Sequence, residues 1–322
     1  NRDHRFKYGN DNRRVKDIKI MSNWGDKSRV RNTLFYEMAA KAGCDGHFAF
    51  PIRVQRNSQF HAILDLMEDS DDLMLERLGR NPDGAFYKMY NNLSNTGGVE
   101  KKTRKWEGYE DLQTLINNID ETIPLSNRVK YAYDNIEIPQ SISYFTACAL
   151  ASHQDHGHKN YYLYRNSDET GEWTILPWDV DLTWGRNWTD AQGYLTDTLY
   201  QDNILNFYNL AVQPSKGNTN RFYNLFFKHP EFRRMYLRRL RTIMDNLLQP
   251  PNTPSEQLII EAKIRELMDL MDPPGITNSD AYLDYIKWGY WGTNFTMRDD
   301  ANRIITIHLP GRRQWLFTST SP

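Results

Sequence analysis

Hydrophobic and polar residues alternate in short runs over the first part of the chain. This period predicts strands at Arg5–Tyr8, Val15–Met21, Phe50–Val54, Phe60–Met67 and Ala85–Tyr90. Apolar residues at helical spacing predict one helix over Val30–Ala42, and the acidic run Asp69–Asp72 predicts the cap of a second, short helix that ends near Gly79. Residues 1–90 are therefore expected to form a small sheet with one or two helices.

From about Trp106 the apolar residues follow the helical period instead. Helices are predicted at Tyr109–Ile119, Leu125–Asp134, Pro139–Ser152, Leu199–Val212, Asn220–Phe227, Glu231–Leu248, Ser255–Met271 and Ser279–Thr296. A hairpin of Tyr161–Arg165 and Trp173–Trp178 interrupts them, and Ile304–Ile307 is predicted as a last strand. The expected fold class is α+β, with a β-rich lobe at 1–90, a larger and mainly helical lobe at 91–322, and a ligand cleft between the lobes.

The amino-acid composition limits the kinds of partner that this protein is expected to bind. The 322 residues include 40 Lys and Arg and 41 Asp and Glu, and this balance gives no electrostatic argument for a nucleic-acid-binding protein. No apolar run approaches the roughly 20 residues that a membrane helix needs. Two cysteines, Cys44 and Cys148, cannot build a disulfide framework, and whether they pair with each other stays open.

Candidate chemistry concentrates around the predicted hairpin. Asp155 and Asn160 lie before its first strand, and Asp179 and Asp181 follow its second strand. Because a hairpin brings its outer ends together, Asn160 is expected near Asp179, and this arrangement can assemble oxygen ligands for Mg²⁺. The order Asp-x-x-x-x-Asn, hairpin, Asp also matches the plan of phosphoryl-transfer enzymes, in which an Asp accepts the hydroxyl proton while an Asn and a second Asp hold metal.

Two simpler interpretations remain open for these residues. The carboxylates alone could cap a turn or lie in solvent at the ends of strands. His153, His156 and His158 have the side-chain chemistry of zinc ligands, although their spacing matches no zinc motif. A role in the loop around Asp155 is the alternative for these histidines.

The same residues resemble a known family. Lys159–Arg165 together with Trp173–Gly185, which contains Trp-Asp-x-Asp-x-Thr-Trp-Gly, resembles the signature of the spore-coat protein H (CotH) kinase-like family. Upstream, Asp17–Leu34, Phe60–Asp69 and Gly84–Lys88 resemble further elements of that family, and Phe227–Leu240 resembles its late Arg-rich helix. The resemblance implies a two-lobed, atypical protein-kinase-like fold in a secreted or surface-associated protein.

The resemblance also implies roles for individual residues. Asp155 would be the catalytic base, Asn160 and Asp179 would hold metal, and Lys88 would contact phosphate. Asp181, from its place after the hairpin, is a further candidate metal ligand. Tyr87 and Trp173 would sandwich the adenine. Arg31 and Glu68 would be partners of the phosphates, the metal or Lys88. The implied cofactors are ATP and Mg²⁺, with Mn²⁺ as an alternative.

We therefore expect a monomeric, extracellular or cell-surface kinase that transfers the γ-phosphoryl group of ATP to Ser or Thr hydroxyls of a protein substrate. Two features depart from the usual pattern: His153-Gln154 precede Asp155, and the sequence contains no Gly-x-Gly-x-x-Gly loop. The alternatives are another nucleotide-dependent transfer, such as adenylylation or ligation, and a non-catalytic pseudokinase that serves adhesion.

Overall fold

The computed structural model describes residues 6–7, 14–153, 155–189, 194–196, 200–202, 220–289 and 295–319. The fold is mixed α+β, with small antiparallel sheets and many helices, as the sequence predicts. The strands are β1 (Phe6–Lys7), β2 (Arg14–Val15), β3 (Ile18–Met21), β4 (Ala49–Arg56), β5 (Gln59–Glu68), β6 (Ala85–Met89), β7 (Val99–Lys101), β8 (Tyr161–Arg165), β9 (Trp173–Pro177), β10 (Asn187–Thr189) and β11 (Tyr194–Thr196). The helices are α1 (Arg31–Lys41), α2 (Asp72–Arg77), α3 (Glu110–Asn118), α4 (Leu125–Asn135), α5 (Ile138–Leu150), α6 (Arg221–Lys228), α7 (Pro230–Ile243), α8 (Ile259–Met271), α9 (Asp280–Trp288), α10 (Met297–Arg303) and α11 (Leu309–Ser319).

A three-stranded antiparallel sheet of order β3-β5-β4 forms the first of the two larger sheets. β4 and β5 are joined by a two-residue turn at Asn57 and Ser58, and both residues have positive φ (52° and 62°). This is the backbone of a tight hairpin turn, whose twist matches that of the flanking strands. The sheet packs against α1 through β4 and against α9 through β5.

A four-stranded antiparallel sheet of order β7-β6-β8-β9 carries the predicted hairpin at one side. β6 pairs with β8 so that Lys88 lies opposite Tyr162, and β8 pairs with β9 so that Tyr161 lies opposite Pro177. The sheet therefore joins strands from both sides of residue 90, where the sequence analysis places the boundary between two lobes.

Helix α5 occupies the centre of the hydrophobic core. Its residues from Ile138 to Leu150 are buried with few exceptions, and it packs against α1, α7 and β9. Pro139 lies in its first turn, where the missing N–H costs no intrahelical hydrogen bond. Within the described part of the chain, no helix is both long enough and apolar enough to cross a membrane.

Most predicted helices are present within a few residues of their expected ends, but the strand predicted at Ile304–Ile307 is wrong. Ile304–His308 is a π-helical turn between α10 and α11. A capping box of Thr296 and Asp299 starts α10, and the helix continues through the β-branched run because packing overrides the weak strand propensity of those residues.

Two other helix predictions extend past what the structure describes. α9 ends at Trp288, before Gly289 with φ of 60°, so the predicted helix Ser279–Thr296 is too long. Residues 203–212 of the predicted helix Leu199–Val212 lie outside the described residues, as do residues 290–294.

Arg31 ties three distant segments together inside the protein. Its guanidinium is fully buried and forms ion pairs with Asp26 and with Asp300 of α10, while Nε donates to the carbonyl oxygen of Thr183 at 3.0 Å. Asp26 also accepts hydrogen bonds from Ser28. Two buried carboxylates thus compensate the charge of Arg31 in this structure, and its contact with phosphate or metal stays a prediction.

Replacing Arg31 by Ala should lower the free energy of unfolding by about 3–5 kcal/mol, because it leaves two carboxylates buried without their cation. Chemical denaturation measures this loss. The control is Arg234→Ala, which removes an exposed ion pair with Glu231 and should change stability by no more than about 0.5 kcal/mol. Equal stabilities of the two variants would contradict the structural role of Arg31.

Candidate functional site

A residue with a left-handed backbone conformation lies at each of the two outer ends of the β8–β9 hairpin. Asn160 directly precedes the paired Tyr161, and Asp179 follows the paired Pro177 by two residues. Both have left-handed backbone conformations, with φ of 62° and 56°. Asn and Asp tolerate this conformation better than most residues, and such strained positions are concentrated at functional sites.

Asp155 is surrounded by hydrogen-bond donors and cations. The Asn160 amide donates to its carboxylate at 2.8 Å and to its backbone carbonyl at 2.9 Å. His158 Nε2 lies 3.3 Å from Oδ1, and Lys159 Nζ lies 3.5 Å from Oδ2. Burial raises the pKa of Asp155, but the hydrogen bond with His158 and the charge of Lys159 outweigh it, so the pKa lies below its usual value. Asp155 is thus held ionised and oriented.

Asp179 and Asp181 have the opposite surroundings. Neither carboxylate accepts a hydrogen bond or forms an ion pair with the described residues. Burial and repulsion by Asp155 raise the pKa of Asp179. Burial, followed by repulsion from Asp179 and Asp26, raises the pKa of Asp181 to about 8. Two partly buried carboxylates that repel each other and lack donors form a site suited to a cation.

The ligand chemistry of this cluster is that of a hard cation. Asn160, Asp179 and Asp181 offer amide and carboxylate oxygens, which suit Mg²⁺ or Mn²⁺. Within the described residues, no three His, Cys, Asp or Glu side chains are arranged as a metal-binding group. A magnesium ion held by one or two carboxylates takes its remaining ligands from water and phosphate, so these residues fit a metal that arrives with a nucleotide.

The histidines near Asp155 do not form a zinc site in this structure. His153 and His156 are buried and stack on each other with ring centroids 4.8 Å apart. His156 Nδ1 is hydrogen-bonded with the hydroxyl of Tyr223, and burial lowers the pKa of His153 to about 4. These two rings pack beneath the loop, whereas His158 contacts Asp155 directly.

Lys88 lies beside the carboxylates. Its ammonium is 4.6 Å from the ring centroid of Trp178, the residue before Asp179, and 5.0 Å from that of Tyr90. Its positive charge opposes the rise in the pKa of Asp179. No carboxylate of the described residues forms an ion pair with Lys88, so its charge is available to a ligand.

Tyr87 and Trp173 lie on the opposite face of the sheet from Lys88. Tyr87 is 0% exposed and Trp173 is 1% exposed, and their ring centroids are 5.9 Å apart. The Tyr87 hydroxyl donates to Asp111 at 2.6 Å. Successive residues of a strand face opposite sides of a sheet, so Tyr87 points away from Lys88. The Tyr87 and Trp173 rings fill the core, and the structure does not place them as the expected adenine sandwich.

Glu68 also has a partner other than the expected one. Arg77 binds its carboxylate through Nε, at 2.9 Å from each oxygen, and through a terminal nitrogen at 2.6 Å. This forked contact is typical of a strong Arg–carboxylate pair. Of the expected site residues, the structure groups Asp155, Asn160, Asp179, Asp181 and Lys88, and gives Glu68, Arg31, Tyr87 and Trp173 other contacts.

Two residues of this group were not predicted from the sequence as site residues. Trp178 was predicted as the end of a strand and as part of the family motif, yet its ring lies under Lys88 and also 4.9 Å from the Lys19 ammonium. Its position next to Asp179 was the available signal. Lys19 gave none, because it comes from β3 in the other sheet.

Asp181→Asn should change how stability depends on pH. The folded protein binds the Asp181 proton more tightly than the unfolded chain does, so this residue lowers stability as the pH rises from about 4 to about 8. The variant should therefore lose less stability than the wild type across that interval. Chemical denaturation in EDTA at about pH 5 and about pH 9 measures this, with Asp134→Asn, an exposed carboxylate, as control. Identical losses in wild type and Asp181→Asn would contradict the buried, repelled state of Asp181.

Trp173→Ala should lower the free energy of unfolding by about 3–5 kcal/mol, because it leaves a cavity against Tyr87. The control is Trp106→Ala, whose side chain is 77% exposed and whose loss should cost no more than about 0.5 kcal/mol. Unchanged stability, together with a raised KM for ATP, would show instead that Trp173 stacks on a nucleotide.

Comparison with known proteins agrees with the motif around the hairpin. The family described as CotH kinase protein matches residues 2–305 of this chain. The inner spore coat protein H of Bacillus subtilis (strain 168) is 25% identical over 279 residues, an alignment that covers 81% of this chain and 71% of that protein. The resemblance inferred from sequence is confirmed, and the chain belongs to the CotH kinase protein family.

Proposed function

We propose that this protein is an ATP-dependent protein kinase that uses Mg²⁺, or Mn²⁺ in its place, to transfer the γ-phosphoryl group to Ser or Thr hydroxyls. The observation that carries the proposal is that Asp179 and Asp181, beside Lys88 and an ionised Asp155, form no ion pair with the described residues. Membership of a family described as kinases supports the same reaction.

Each residue of the group has a role that follows from its charge. Asn160, Asp179 and Asp181 would hold the metal, and the bound metal would neutralise phosphate charge. Lys88 would bind phosphate oxygens as a point charge. Asp155, oriented by Asn160 and His158, would accept the hydroxyl proton of the substrate as it attacks.

The low pKa of Asp155 is compatible with this role. In phosphoryl transfer most of the catalytic effect comes from positioning and charge stabilisation, so the carboxylate must above all be ionised and correctly placed. The hydrogen bond from Asn160 couples its position to that of a metal ligand. Binding of metal and orientation of the acceptor hydroxyl would thus depend on the same loop.

The wider setting is part of the same proposal. The three-stranded sheet with α1 would belong to the smaller lobe of a kinase-like fold, and the helical remainder to the larger lobe. The similar Bacillus subtilis protein is named as a spore coat protein, and this favours an extracellular or surface-associated protein. The protein would act as a monomer on other proteins.

The test incubates the protein with γ-labelled ATP and Mg²⁺. It measures the label transferred to the protein itself and to an acceptor protein that contains Ser and Thr. Asp155→Ala and Asp179→Ala should each lower the rate at least about 100-fold while the circular dichroism spectrum is retained. Asp134→Ala, an exposed carboxylate far from the hairpin in sequence, should keep wild-type activity.

Undiminished transfer by either site variant would refute the assignment of that residue. A parallel reaction with α-labelled ATP, followed by mass spectrometry of the product, separates the reaction types. Addition of a nucleoside monophosphate would show adenylylation, and no labelling with either form of ATP would favour a non-catalytic protein.

A further inference from the structure

The indole ring of Trp178 lies near two ammonium groups that come from different sheets. Lys88 of β6 is 4.6 Å from the ring centroid, and Lys19 of β3 is 4.9 Å from it. The two nitrogen atoms are therefore within about 10 Å of each other, which is about one Debye length at 0.1 M salt. The electrostatic energy of two like charges at this distance is unfavourable, and an anion near both of them would lower it.

Lys19 is only partly compensated. Its ammonium is 2.7 Å from Asp69 Oδ1 and donates to Ser70 Oγ at 3.0 Å, and 26% of its side chain remains exposed. Burial lowers the pKa of Lys19, and the charges of Lys102 and Lys88 lower it further against the opposing effect of Asp69. Three ammonium groups are thus close enough to affect one another.

These three lysines differ in their ion pairs with the described residues. Lys19 pairs with Asp69 and Lys102 pairs with Glu100, whereas Lys88 pairs with no carboxylate of the described residues. His47, which these lysines surround, is buried with its Nδ1 lacking a partner, and its pKa is lowered, first by burial and then by Lys19 and other cations. His47 therefore adds no charge, and the lysine without an ion pair to the described residues is Lys88, which lies near Asp179.

We propose that Lys19 joins Lys88 in binding a polyphosphate chain, the chain of a nucleotide or of an inorganic polyphosphate. For the nucleotide source this rests on the proposed function, since the adjoining carboxylates would hold the metal that accompanies ATP. Trp178 immediately precedes Asp179, so the two lysines lie near the segment of chain that carries this carboxylate. An anion that contacts both lysines would link the two sheets.

Lys16 provides a matched comparison for Lys19. It pairs with Asp72 at 3.0 Å, so it also connects the segment around β3 to the same acidic run. The side chains of this pair are 48% and 46% exposed, and no aromatic ring in the described part of the chain lies under Lys16. A lysine that only steadies this acidic run would behave as Lys16 does.

The experiment measures binding of tripolyphosphate, ADP and adenosine by isothermal titration calorimetry, without metal and at fixed salt. Lys19→Met should weaken binding of tripolyphosphate and ADP about tenfold, and Lys19→Arg should retain most of the affinity because it keeps the charge. Lys16→Met should bind as the wild type does. Asp69→Asn should bind at least as tightly as the wild type, because it releases Lys19 from its carboxylate.

Wild-type affinity in Lys19→Met, or an equal loss in Lys16→Met, would overturn the proposal. Thermal unfolding of each unliganded variant shows whether a loss of binding reflects a loss of fold, and Lys19→Arg is decisive where Lys19→Met is unstable. If adenosine binds and tripolyphosphate does not, the site is not a phosphate site.

Phosphate transfer is assayed separately, so the two proposals fail separately. Lys19-dependent binding of tripolyphosphate in a protein that transfers no phosphate would support this site and refute the kinase. Phosphate transfer at the wild-type rate by Lys19→Met, with unchanged affinity for ADP, would support the kinase and refute this site.

Discussion

Antiparallel pairing of β8 with β6 on one side and β9 on the other is the constraint on which the site depends. It sets Asn160 and Asp179 at one end of a hairpin, and it brings Lys88 in from a segment more than seventy residues earlier in the chain. A shift of one residue in this register would turn Lys88 into the core and Tyr87 outward, because successive residues face opposite sides of a sheet. The buried Tyr87 and Trp173 rings hold the register by filling the other face.

The protein treats buried charge in two different ways. Arg31, Asp26 and Asp300 compensate one another in the interior, and their contact joins α1, α10 and the segment after β9. Asp179 and Asp181 form no ion pair with the described residues, and burial and repulsion by neighbouring carboxylates raise their pKa values. Groups of like charge lower the stability of a fold, so their presence beside Lys88 and Asp155 supports the proposed metal site.

The side chain of Trp178 lies near residues from both of the larger sheets. It packs with His47 and Tyr162 on one side, and the ammonium groups of Lys19 and Lys88 lie near its ring. Since Lys19 belongs to the three-stranded sheet and Lys88 to the four-stranded sheet, the indole lies where the two sheets meet. The positive charge near Trp178 therefore comes from lysines of two different sheets.

Much of this could be read from the sequence because it depends on local order. The strand and helix periods and the hairpin between Tyr161 and Pro177 reflect neighbouring residues, and so does the motif that resembles the family. The run at Ile304–Ile307 was misread because its β-branched residues favour a strand, while the capped helix before it continues through them.

The contacts of individual charged and aromatic residues were decided only by the tertiary structure. Whether Arg31 faces a ligand or two carboxylates, whether Tyr87 is covered, and whether Lys19 reaches Trp178 depend on segments far away in sequence. A residue's type and its place in a strand limit the chemistry that it can perform. The partner that it meets is set by how the sheets and helices pack, because burial and charge compensation are properties of the assembled interior.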